Sequence, residues 1–169
     1  KFSERISFQS LLPTELSVRE HDGKSADLIA KGYAAYTSSP NYTGVDIKSD
    51  INRGTHFTTV IRAIAKSGQV KGFYNQCLEV ENCDELIILV ATATSFNGMD
   101  NDPAKNGRNH EKLASSRVES AAKKTYLELR DAHIADFGKY FNRVSIDLGA
   151  TDPEIAKLPE KAAKTSDPA

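Results

Sequence analysis

Four acids in two loops are the first residues whose type and spacing could do chemistry. Asp46 and Asp50 lie in one stretch rich in Gly, Asn and Ser, and Asp100 and Asp102 lie in another. Glycoside hydrolysis needs two carboxyl groups across a pocket, one of them with a pKa raised by an apolar wall. Water around loop acids keeps them ionised, so the solvated reading is preferred for both pairs. A calcium loop fails on spacing. Counted from Asp102, position three is Ala104 and position twelve is Leu113, although Gly107 falls at position six. Counted from Asp100, position six is Lys105. Asp102 is expected instead to cap a helix that opens at Pro103.

The other candidates are weaker. His21, His56, His110 and His133 are scattered, with no His-x-x-x-His pair. His133 falls on a helical apolar stripe and reads as a hydrogen-bonded packing residue. Ser115-Ser116 has no elbow glycines, and no Gly-rich phosphate loop exists. Arg117, Lys123 and Lys124 are interleaved with Glu119 and Glu128, which makes a solvated face. Cys77 and Cys83 leave open one disulfide, two buried thiols or half a metal site. No Cys or His stands within a few residues of either, so two small hydrophobes near a hairpin is the preferred reading. Trp is absent, which removes the best flat face for stacking a sugar ring. Tyr33, Tyr36, Tyr74, Tyr126 and Tyr140 lie in apolar patterns and are expected to be at least half-buried, with Tyr42 in a loop. No catalytic, cofactor-binding or metal residue is expected.

Composition agrees with a modest folded unit. The chain has 169 residues, with 22 Lys and Arg against 23 Asp and Glu. That balance leaves no electrostatic footprint for nucleic acid or an anionic membrane. No apolar run approaches ~18 residues, so no helical membrane span is expected. The chain begins Lys-Phe-Ser, and its only Met is Met99. Because Arg5–Leu12 already alternates as a strand, the chain is expected to be a piece of something longer.

These residues must be positioned by two kinds of element. The first ~95 residues carry strand signals at period two. Thr55–Ala65 places Phe57, Thr59, Ile61, Ala63 and Ala65 on one face. Ser67-Gly68 turns it into Val70–Val80, and Glu81–Asp84 turns again into Glu85–Thr94. That last strand is apolar on both faces and is expected to lie centrally. The spacing predicts an antiparallel sandwich. From Asp102 the period becomes 3.6. Thr125 and Glu128 form a capping box, which starts a second helix or sits within one bent helix. Ser145–Leu148 returns to strand alternation. Thr151–Ala169, with three Pro, reads as a tail with at most one turn of helix.

Leu89-Val90-Ala91-Thr92-Ala93-Thr94-Ser95-Phe96-Asn97-Gly98-Met99-Asp100-Asn101-Asp102-Pro103 resembles the segment that closes the N-terminal β-domain of glycoside hydrolase family 95, the α-L-fucosidases. Lys124–Phe137 is similar to that family's helical linker, and Tyr140–Gly149 to the strand after it. Gly54-Thr55-His56-Phe57 with Arg62-Ala63 resembles the strand that follows the family's long loop. The resemblance spans about Leu28 to Gly149. The tail, at Leu158-Pro159 and Asp167-Pro168-Ala169, matches only short marks.

The resemblance implies a mainly β fold with α: an incomplete super-sandwich followed by a helical linker. It assigns 1–98 to the sandwich, 99–144 to the linker, 145–150 to a returning strand and 151–169 to a tail before an (α/α)₆ catalytic barrel. That barrel holds the family's Glu general acid and its water-activating Asn and Asp, and performs inverting hydrolysis of α-L-fucosyl linkages. None of those positions falls in this chain, which is expected to be inactive alone and to need no cofactor. The implied partners are the barrel of the same polypeptide and, for the whole enzyme, fucosylated glycans. The implied parent is bacterial, periplasmic or secreted. Leu127, Leu129 and Tyr140 are the expected interdomain contacts, with Tyr126, Ile134, Phe137 and Phe141 turned to the sandwich and self-association expected where the barrel is missing. Two alternatives stand beside this: a free-standing carbohydrate-binding or structural module, and an unrelated enzyme whose four loop acids converge on one apolar pocket.

Overall fold

A computed structural model describes residues 1–37, 41–44, 46–147, 149–150 and 153–157. In chain order the strands are β1 (Phe2–Ser7), β2 (Thr14–Glu20), β3 (Ser25–Tyr33), β4 (Ala35–Thr37), β5 (Lys48–Ser49), β6 (His56–Ala65), β7 (Gln69–Phe73), β8 (Cys77–Cys83) and β9 (Leu86–Thr94). The helices are α1 (His110–Ala122), α2 (Tyr126–Phe141) and the single turn α3 (Pro153–Ala156). The chain divides into two compact units, Lys1–Leu129 and Arg130 onward.

The first unit is a β-sandwich. A four-stranded antiparallel sheet, β2-β3-β6-β9, packs on a three-stranded one, β1-β8-β7, and β4 pairs with β5 separately. Side-chain alternation along β3 and β6 decides what each face covers. Ala26, Leu28, Ile61 and Ala63 meet Val70, Leu78 and Val80 in the core between the sheets. Ile29 and Val60 point the other way and pack with Ala93 against Ala114 and Val118 of α1. The face of β6 predicted from alternation is thus the sandwich core. Its opposite face is covered by α1, so β6 is buried on both sides.

Several boundaries differ from the sequence reading. β1 ends at Ser7 rather than Leu12. Val70–Val80 is two strands, broken by a turn in which Tyr74 and Asn75 have φ of 49° and 57° and Gln76 N–H donates to Phe73 O. Two successive left-handed residues suit the twist of a hairpin, and only Asn75 signals them in the sequence. β9 is an edge strand, not a central one. Its two apolar faces arise because one packs under α1 while the other carries Ile88 and Val90, which are half-exposed or more.

The helical boundaries differ too. Asp102 caps a single turn, accepting from Ala104 N–H at 2.9 Å, and α1 begins at His110 with Asn109 as its cap. Between them Gly107 and Arg108 run against the end of β9, where Arg108 N–H donates to Ser95 O. The capping box forms, with Thr125 N–H donating to Glu128 Oε2 at 2.7 Å and Glu128 N–H to Thr125 Oγ1 at 3.3 Å. It opens α2 as a separate helix. Ser145–Asp147 form no strand, so the expected returning strand is absent among the described residues; Leu148 lies outside them. The tail holds the one turn of α3, and Leu158–Ala169 lie outside the described residues.

Candidate functional site

Two of the four loop acids, Asp50 and Asp102, are used locally. Asp50 accepts from Asn52 N–H at 2.8 Å and its carbonyl accepts from Gly54 N–H. Asp46, Asp100 and Asp102 are exposed. The hydrogen bond from Ala104 N–H, opposed by desolvation and aided by Lys105, holds the Asp102 carboxyl below its usual value. A general acid needs a shift in the opposite direction. Asp102 is therefore a turn-capping carboxylate.

The titratable groups that do meet are histidines that are far apart in sequence. β6 begins at His56 and α1 at His110, and their rings stand edge to face with centroids 5.8 Å apart. Each is pinned. His56 Nε2 donates to Ile51 O at 2.6 Å, and His56 N–H donates to Ser95 Oγ. His110 Nδ1 shares a 2.8 Å hydrogen bond with the buried hydroxyl of Thr58. Burial holds the His110 imidazole below its usual pKa; the charges of His56 and Lys31 act the same way, and Glu111 opposes them. The rings border a cleft of about 340 Å³ shared with Lys31, Tyr33, Ile51 and Glu111. Lys31 Nζ donates to Glu111 Oε2 at 2.6 Å in a half-exposed position. A carboxylate engaged by an ammonium in water is the reverse of the apolar setting a general acid needs. The cleft is lined by hydrogen-bonding groups. Among the described residues no group of three or more His, Cys, Asp or Glu is arranged to hold a metal.

A second constellation is buried. Asp27 on β3 is 1% exposed and is held by Arg62 on β6, with His21 Nε2 3.1 Å from Asp27 Oδ2. Burial alone would push the Asp27 carboxyl up. The bidentate hydrogen bond and charge of Arg62 outweigh it, His21 adds to them, and the pKa lies below the ordinary carboxylate value. Spacing along the chain shows neither pairing, because the histidines are scattered in sequence. The legible signal is a buried Asp in an apolar strand, which demands a cation.

Cys77 and Cys83 are free and buried. They occupy the two ends of β8, about 20 Å apart at ~3.3 Å per residue, which no disulfide spans. The residues expected at an interdomain face all lie on α2. Leu127 and Tyr140 are exposed and Leu129 is half-buried. Tyr126, Ile134, Phe137 and Phe141 are exposed as well. His133 packs by stacking on Phe137 at 5.9 Å, and Phe137 stacks on Phe141 at 4.9 Å. Tyr74 also departs from expectation, at 81% exposed.

No family profile matches the chain. It is similar to "Alpha-L-fucosidase 2" of Arabidopsis thaliana, with 26% identity over 157 residues. The match covers 86% of this chain and 18% of the plant protein's length. The chain is therefore similar to a small part of a fucosidase-related protein.

Proposed function

We propose that this chain is the non-catalytic N-terminal sandwich, with its helical linker, of a fucosidase-like glycoside hydrolase of family 95. In this reading the complete polypeptide hydrolyses α-L-fucosyl linkages of glycans with inversion, in an (α/α)₆ barrel outside these residues. A bacterial, periplasmic or secreted parent belongs to the same proposal. The observation that carries it is the asymmetry of the match, which takes in most of this chain and less than a fifth of its relative. The chemistry supports it: Asp46, Asp50, Asp100 and Asp102 are spent on turns or solvated, and the cleft at His56 and His110 offers no acid in an apolar wall. The exposed apolar residues of α2 are the kind of surface that a further domain covers.

The test is an assay of fucose release from a 2-fucosylated oligosaccharide. The purified chain is expected to release none. The complete polypeptide is expected to release fucose, with the β anomer formed first by NMR. Fucose release by these 169 residues alone, or an inactive complete polypeptide, overturns the proposal.

A further inference from the structure

The outer edge of the four-stranded sheet is β9. Ser95 N–H donates to His56 O at 2.9 Å and Lys66 N–H donates to Glu85 O at 3.0 Å. The β6–β9 register runs unshifted between these two bonds. In an antiparallel ladder, residues alternate between bonding to the partner and bonding away from it. The odd-numbered residues of β9 therefore bond to β6, and Ile88, Val90 and Thr92 turn their backbone N–H and C=O outward. Arg117 Nη1 donates to Thr92 O at 2.9 Å, which fits that parity and closes the edge at Thr92.

Among the described residues, Ile88 and Val90 carry no such guard. They sit opposite Ala63 and Ile61, so their side chains share the face of the sandwich core. They are nevertheless 48% and 63% exposed. β9 also lacks the usual devices that stop edge strands from pairing. Leu86–Thr94 contains no charged residue and no Pro, and its ladder has no bulge.

We propose that Ile88 and Val90 form a self-pairing edge through which two copies of this chain join their four-stranded sheets, antiparallel about a twofold axis. Ile88 of one copy lies opposite Val90 of the other, and each pair exchanges two N–H···O=C bonds. The four apolar side chains then lie together on one face of the joined sheet. A second copy is the occupant for two reasons: an uncharged strand meets its own copy without like-charge repulsion, and a twofold contact closes. The same register sets Leu86 against Thr92, whose carbonyl Arg117 holds. Arg117 therefore limits how far the pairing extends. This inference stands apart from the fucosidase reading.

The test is light scattering or sedimentation equilibrium on the purified chain from about 10 μM to 1 mM, the range of weak specific association. The mass is expected to rise from 18.5 kDa toward twice that value, and the Ile88 and Val90 amides to exchange more slowly as concentration rises. Val90→Lys should weaken association about tenfold or more, by placing two charges in the joined face. Arg117→Ala should strengthen it, and Phe137→Glu on α2 should leave it unchanged. A mass that stays at 18.5 kDa, association indifferent to Val90→Lys, or association abolished by Phe137→Glu overturns the proposal. Where Val90→Lys fails to fold, the unsubstituted chain still decides: Ile88 and Val90 amides that exchange equally fast at every concentration overturn the proposal too.

Discussion

Arg62 grips Asp27 side-on, its Nε 2.6 Å from Oδ1 and its Nη2 2.8 Å from Oδ2. The pair spans adjacent strands in register, on the sheet face that also carries Ile29 and Val60. The Asp27 side chain is 2% exposed and that of Arg62 12%. Removing one partner leaves a buried charge uncompensated, so Arg62→Met is expected to cost about 3–5 kcal/mol in denaturant unfolding.

The pH dependence follows from the lowered Asp27 pKa. A depressed carboxylate stabilises the fold fully above its unfolded pKa, about 4, and that stability is lost as pH falls through the folded value. Unfolding free energy should therefore drop below about pH 4 in the unsubstituted chain and drop less in Asp27→Asn, which starts from a lower plateau. Equal slopes in the two proteins would remove Asp27 from the account.

The sandwich is legible in the sequence because alternation on β3 and β6 is a local property: Leu28, Ile61 and Ala63 declare their face by position alone. The place of β9 is not. An apolar strand with two apolar faces reads the same whether a neighbouring strand or only a helix covers it, and Ile88 and Val90 differ from core residues only in what is absent beside them. The helix start misleads for a related reason. Asp102-Pro103 carries the local chemistry of a cap, but the hydrogen bond from Arg108 N–H to Ser95 O is a tertiary contact. The meeting of His56 with His110 depends on how α1 lies over β6, which no local spacing records.

That meeting sets a second pH dependence. His110 has a pKa lowered chiefly by burial, so the folded state binds its proton less readily than the unfolded chain does. Its contribution is full above the unfolded value of about 6.5 and is lost as pH falls toward the folded pKa. The melting temperature is expected to fall between about pH 7 and pH 5, and His110→Gln should flatten that fall while keeping a partner for Thr58. A slope unchanged in His110→Gln would assign the effect elsewhere.

Gly107 fixes how the chain leaves β9 for α1. A Cβ there would stand 2.3 Å from Pro103 O and 2.6 Å from Ser95 O, both backbone atoms that cannot step aside. Gly107→Ala is expected to destabilise the fold by about 1–3 kcal/mol through forced backbone shifts. Ala at Gly44, where nothing lies within 4 Å but φ is +65°, separates crowding from backbone strain: it should cost only about 1 kcal/mol. A smaller loss at Gly107 than at Gly44 would contradict the crowding seen here.

The two helices make opposite predictions for one kind of substitution. Val118 on α1 is 1% exposed and packs with Val60, Ile29 and Ala93. Val118→Ala should cost about 2 kcal/mol from lost methyl burial and the cavity left behind, and Val118→Asp several kcal/mol more, by placing a charge among apolar side chains. Phe137 on α2 is larger, and its place on the helical stripe predicts equal intolerance. It is 53% exposed, with its ring contacts made to His133 and Phe141 of its own helix. Phe137→Glu should therefore change unfolding of the sandwich by no more than about 0.5 kcal/mol, as at ordinary surface positions. In a complete polypeptide whose barrel covers α2, the same substitution should become costly, because the charge would then be buried. Stability measured in both contexts separates the two cases. A large loss in the 169-residue chain would mean that Phe137 is covered there, and an equal tolerance in both would remove α2 as a surface that another domain occupies.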